Sequence, residues 1–139
     1  MDKKELGRLG EDVAKNYLLK KGYKILDLNY KPPFSGKEFG EIDIIAKLPT
    51  TFFKKWLRGK NNPICFIEVK TVLENPYFSP EDRVDFLKKK KLKKLAEIYL
   101  INKKIPLNTK YQIDIIGIEI NPITKKPKIS HFENAIDNV

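Results

Sequence analysis

The stretches GEIDIIAK (residues 40–47) and ICFIEVK (64–70) decide how this chain folds. Each is a short run of Ile, Val and Phe interrupted by charge, and residues i and i+2 of a strand share a face. Alternation predicts Glu41 and Asp43 on one side of the first strand, with Ile42, Ile44 and Ala46 on the other. In the second, Glu68 and Lys70 point together, opposite Ile67 and Val69. If the two strands pair, Asp43, Glu68 and Lys70 meet on one face. Carboxylates in such apolar strands are costly to bury unpaired, and their hard oxygens suit Mg²⁺ or Mn²⁺. A metal held there neutralises a phosphate oxygen and acidifies a bound water. A lysine two residues past the second carboxylate orients that water or steadies the pentavalent transition state. An E-x-K pattern alone also fits a solvated ladder on an open sheet; G-E-x-D on the preceding strand favours the site.

Working outward, residues 3–21 read as a helix with Leu6, Leu9, Val13, Ala14 and Tyr17 on one stripe, stopped by Gly22. Glu11 lies at the edge of that stripe, between Gly7 and Ala14, whose small side chains leave room beside it for a ligand. YKILDLNY (23–30) is a strand, and Pro32, Pro33, Ser35 and Gly36 mark a loop. Ser79-Pro80-Glu81-Asp82 opens a second helix running to about Asn102, with Val84, Leu87, Leu95, Ile98 and Tyr99 inward. Lys88 and Lys91 fall within that inward stripe, where they either snorkel over the core or reach a phosphate. YQIDIIGIEI (111–120) is a further strand and KPKISHF (126–132) a weaker one. The order is helix, three strands, helix, one or two strands. That predicts a single α/β domain over residues 1–139, a mixed sheet flanked by helices.

The 139 residues carry 28 Lys+Arg against 18 Asp+Glu, a net charge of +10. Such a field attracts polyanions, DNA first and RNA second, although a lysine-rich surface is also a heat-adaptation signal. The excess gathers at 54–60 and 88–94. Residues 48–62 form a basic-aromatic insertion. Its Lys54, Lys55, Trp56 and Arg58 either cap the core, stack on unpaired bases, or dock on a lipid surface or partner. No run is apolar or long enough to span a membrane, and the charged N-terminus is unlike a signal peptide, so a cytoplasmic location is expected. Cys65, the single cysteine, reads as a buried structural thiol, and His131, the single histidine, as a capping or packing residue.

The chain resembles the YraN-like family of small bacterial proteins in the restriction-endonuclease-like, PD-(D/E)XK superfamily. The resemblance rests on G-x-x-G-E-x-x-A with Tyr-Leu (Gly7 to Leu18), Gly22-Tyr23, Asn29, GEIDIIA (40–46) and FIEVKT (66–71). It continues through Val84 with Lys88, Ala96 with Tyr99-Leu100, IDIIGI (113–118) and HFENA (131–135). Similarity to archaeal Holliday-junction resolvases implies Glu11, Asp43, Glu68 and Lys70 as the catalytic set, with metal on Asp43, Glu68 and Glu11; Glu41, on the same strand face as Asp43, is an accessory candidate. Val72 stands where the family usually has Arg, and Gln112 where an Arg often precedes the Asp matched by Asp114.

The expectation is a metal-dependent endonuclease acting on branched or irregular DNA in repair or recombination. Lys88, Lys91 and the 54–58 residues would grip nucleic acid, and resolvase-like relatives suggest a homodimer. The rival, favoured by the two missing arginines, is a non-catalytic nucleic-acid-binding protein on the same scaffold.

Overall fold

In the computed structural model, residues 1–33, 40–49, 62–76 and 86–136 are described. Asp2 caps helix α1 (Lys3–Lys20), its carboxylate accepting the Glu5 N–H at 2.8 Å. At the other end the Tyr23 N–H returns to the Leu18 carbonyl and the Gly22 N–H to Leu19. This C-terminal cap requires a left-handed residue, and Gly22 has φ +91°. The helix therefore stops where the sequence predicts, and the chain turns directly into strand β1 (Lys24–Tyr30).

Strands β2 (Ile42–Lys47), β3 (Ile64–Leu73), β4 (Tyr111–Ile120) and β5 (Pro127–Phe132) complete a sheet in the order β1-β2-β3-β4-β5. Neighbours are antiparallel except β3 and β4, which run parallel from Ile64↔Tyr111 to Leu73↔Ile120. A parallel pair needs a crossover, and helix α2 (Phe86–Asn102) provides it. Strand β3 runs three residues past the predicted end at Lys70, because β4 continues to pair with it.

Among the described residues, one helix covers each face of the sheet. Ala14 and Leu18 of α1 pack on Ile44, Ala46, Cys65, Ile67 and Ile116. On the opposite face α2 buries Leu92, Leu95, Ala96, Tyr99 and Leu100 against Ile45, Ile64 and Phe66. Tyr99 meets Tyr30 and Phe66 edge-on, with ring centroids 5.0 and 5.6 Å away. The predicted inward positions Leu95 and Tyr99 are buried and Ile98 is half-buried; Val84 and Leu87 lie outside the described side chains. So do the predicted helix start at Ser79 and most of the 48–62 insertion.

Candidate active site

The site begins where the sheet opens. The β2–β3 ladder ends at Ile44↔Ile67, leaving the backbone of β3 beyond that point without its strand partner on this side. The Val69 N–H is satisfied instead by Asp43, whose Oδ2 accepts it at 2.8 Å. The opening also breaks the alternation expected of β2. Ile44 and Ala46 face α1 as a pair, but Ile42 packs with Ile45 on the α2 side. Residues 42 and 43 are free of β3 and hence of its pleat. Asp43 consequently reaches α1, which a regular strand would not allow.

Helix α1 lies tightly on β3 at Gly10, where any Cβ would overlap the side chain of Thr71. One turn away, a Cβ on Gly7 would meet nothing, and this open space belongs to the cleft. Glu11 thereby comes to the strand opening, where single carboxylate oxygens of Glu11, Glu41 and Asp43 lie within 4.8 Å of one another. The Asn29 amide donates to Glu11 Oε1 at 3.0 Å and Glu41 Oε1 at 3.4 Å, tying the helix acid to the strand acid. Asn29 has φ +49°, a conformation that Asn tolerates better than most residues.

Glu11, Asp43, Glu68, Lys70, Thr71 and Lys88 line one cleft of about 640 Å³, together with Lys3, Gly7 and Val72. Burial pushes the Asp43 carboxyl well above the usual carboxylate range, and the charges of Glu68, Glu11 and Glu41 push it further. The Val69 N–H pulls the other way without reversing the shift. Glu68 is buried, and its Oε1 meets Lys88 Nζ at 2.7 Å. Thr71 Oγ1, also buried, has no hydrogen-bond partner among the described residues. An all-oxygen carboxylate cluster that repels itself fits a hard divalent cation.

The structure thus brings the four predicted catalytic residues to one cleft. It groups Glu41 most closely with Glu11 and Asp43, while Glu68 is engaged by Lys88. Of the predicted nucleic-acid contacts, Lys88 lines the cleft. Lys91 is exposed and lies with Lys90, Lys93 and Lys94 on a separate lysine-lined surface, contrary to the inward position expected of it. The buried stripe is Leu92-Leu95-Ala96-Tyr99-Leu100, which turns Lys91 to solvent. Lys54, Lys55, Trp56 and Arg58 are outside the described residues.

A second polar group went unread in the sequence. Asp114 on β4 is fully buried, and its Oδ2 lies 2.7 Å from His131 Nε2. Its Oδ1 accepts from the Asn134 N–H at 2.8 Å and from Gln112 Nε2 at 2.9 Å. His131 Nδ1 pairs with the Tyr17 hydroxyl at 2.9 Å. Burial raises the Asp114 carboxyl, but the hydrogen bonds from His131, Asn134, Cys65 and Gln112 outweigh it and hold the group below its ordinary range. Burial, then Asp114, pushes the Cys65 thiol far up, as suits a structural cysteine. Gln112 therefore serves Asp114 and is not among the residues lining the cleft. The available signal was Asp114 itself, a carboxylate in an apolar strand as costly to bury as Asp43.

The sequence model of a family described as "Uncharacterised protein family UPF0102" matches residues 10–118. A UPF0102 protein of Thermodesulfovibrio yellowstonii is 41% identical over 133 residues, covering 94% of this chain and 95% of its own. One from Alkaliphilus oremlandii is 36% identical over 95% of this chain and 97% of its own. Another, from Dictyoglomus thermophilum, is 37% identical over 99% and 98%. Among the described residues no helix is long and apolar enough to cross a membrane.

Proposed function

We propose that this chain, which belongs to the UPF0102 family, is a divalent-metal-dependent DNA endonuclease that acts on branched or irregular DNA in repair or recombination. The observation that carries the reading is the convergence of Glu11, Asp43, Glu68 and Lys70 on one cleft, with oxygens of Glu11, Glu41 and Asp43 within 4.8 Å of one another. Glu11, Glu41, Asp43 and Glu68 would hold Mg²⁺ or Mn²⁺, which when bound supplies charge neutralisation at the phosphate and an acidified water. Asp43 is held in place by the Val69 N–H and Glu11 by Asn29. Lys70 faces the same cleft from β3, two residues past Glu68, where its ammonium steadies charge building on the phosphate as water attacks phosphorus. The attacking water gives up a proton to solvent, the P–O bond to the leaving sugar oxygen breaks, and that oxygen takes up a proton from solvent. The branched substrate and a homodimeric arrangement rest on similarity to resolvases, and a cytoplasmic setting on the sequence alone.

The test is a nuclease assay on linear, nicked, flapped and four-way DNA with Mg²⁺, Mn²⁺ or EDTA. Cleavage that requires metal and favours a branched form is expected. Metal-independent binding of all forms without cleavage would instead establish a non-catalytic nucleic-acid-binding protein. The Lys88–Glu68 pair is the observation that favours this rival, since it balances Glu68 without a metal.

A further inference from the structure

The ion pair between Lys88 and Glu68 has two unlike sides. Glu68 sits on the central strand β3 with its side chain 5% exposed, whereas the Lys88 side chain is 47% exposed. A carboxylate buried so deeply needs a counter-charge, and its acidic neighbours make that need greater. Asp43 lies close enough for the two charges to repel, and Glu11 and Glu41 crowd Asp43 in turn. Lys88 is the cation that answers it, from the helix on the far side of the sheet from Glu11. Its ammonium rides on a flexible four-carbon stem that is already half in water. Glu68 cannot leave the strand; Lys88 can leave Glu68.

We propose that Lys88 is an exchangeable counter-ion. It neutralises Glu68 when no metal is present, yields that carboxylate to a divalent cation, and then turns its ammonium to a phosphate of DNA lying in the cleft. The proposal rests on the metal-dependent reading above and adds to it a coupling of metal and DNA binding through one side chain. Two cations do not share one buried carboxylate comfortably, so Lys88 is driven outward as Glu68 is taken. The cleft that Lys88 lines with Lys70 is where a phosphodiester would then meet both ammonium groups. Because linkage is reciprocal, metal should raise DNA affinity and DNA should raise metal affinity by the same factor.

The prediction has opposite signs for the two ligands. By calorimetry on the free protein, Lys88→Met should bind Mn²⁺ several-fold more tightly than the native chain, having no lysine to displace. In Ca²⁺, which is used here to hold the complex without turnover, the same variant should bind a four-way DNA junction about ten-fold more weakly. Lys88→Arg, which grips Glu68 with a fork, should bind Mn²⁺ more weakly and keep its junction affinity. Unchanged or weaker Mn²⁺ binding in Lys88→Met, or tighter binding in Lys88→Arg, would overturn the exchange while leaving the metal site intact. Should the native chain bind no Mn²⁺ at all, the metal-dependent reading fails first and the exchange with it. If Lys88→Met does not fold, the Lys88→Arg measurements decide alone.

Discussion

At the scale of single residues, burial first and repulsion from neighbouring acids second make the Asp43 charge costly, a cost that a bound metal would relieve. It binds its proton more tightly in the folded protein than in the unfolded chain. Between the ordinary carboxylate range and its raised value, the folded protein thus holds the extra proton, and stability falls as pH rises through that window. Denaturant unfolding in EDTA should show this decline, and Asp43→Asn should lack it. The amide still accepts the Val69 N–H, so the variant should be about 1–2 kcal/mol more stable than the native chain near neutral pH while losing Mn²⁺ binding. Equal stability of the two chains across that window would mean that neither burial nor the neighbouring acids penalise the Asp43 charge. On the proposed nuclease reading Lys70 would act differently, because its charge would be needed as the phosphate gains charge. Lys70→Ala should abolish cleavage with DNA affinity largely kept. An equal loss of binding would make Lys70 one more phosphate contact.

At the scale of elements, the docking of α1 on β3 sets where Glu11 stands. Gly10 permits the close approach over Thr71, and Gly10→Ala must push the helix away. Overpacking of this kind costs roughly 1–3 kcal/mol. The displaced Glu11 should also weaken Mn²⁺ binding, and Thr71→Gly added to Gly10→Ala should recover part of it. A Gly10→Ala variant with native Mn²⁺ affinity would show that α1 does not position the site. The other end of α1 is tied down by Tyr17, His131 and Asp114, which joins α1 to β4 and β5. The depressed Asp114 carboxyl contributes stability above the ordinary carboxylate pKa, and loses it as pH falls through the lowered value. Asp114→Asn should therefore cost about 1–3 kcal/mol at neutral pH and flatten the acid side of the stability profile. Urea unfolding at neutral and acid pH measures both, and an unaltered acid slope would contradict the assignment.

For the whole molecule, a net charge of +10 accompanies a cleft in which carboxylates and lysines are mixed. Lys90, Lys91, Lys93 and Lys94 line an exposed surface of α2, the helix that also supplies Lys88. Long-range attraction of DNA to that surface would not depend on the chemistry in the cleft. Reversing the charge of Lys93 and Lys94 should lower affinity for every DNA form alike and reduce the slope of log affinity against log salt. Filter binding over a salt series tests this, and an unchanged slope would locate the contacts elsewhere. The contrast with Lys70→Ala separates attraction of the substrate from its transformation.

How much of this was legible in the chain itself follows from the range of the forces involved. Periodicity and capping are local, so the sequence alone determined the first helix with its stop at Gly22, the described body of the second helix and four strands, and left the fifth as a weaker candidate. Strand alternation also put Glu68 and Lys70 together, because both lie on a strand whose pairing with β4 is regular. The same rule misplaced Ile42, since alternation holds only while a strand is paired and β2 leaves β3 after Ile44. Spacing on α1 singled out Glu11, but its meeting with Glu41 and Asp43 depends on Gly10 closing on Thr71, residues far apart along the chain. Lys91 was misjudged because a helix with six lysines in seven positions has no clear apolar face at its start. Only the sheet beneath it, which takes Leu92 and Leu95, decides that Lys91 turns to solvent while Lys88 reaches Glu68. The carboxylate partners likewise waited on the fold: burial is what makes an unpaired charge costly, and only packing says which charges are buried.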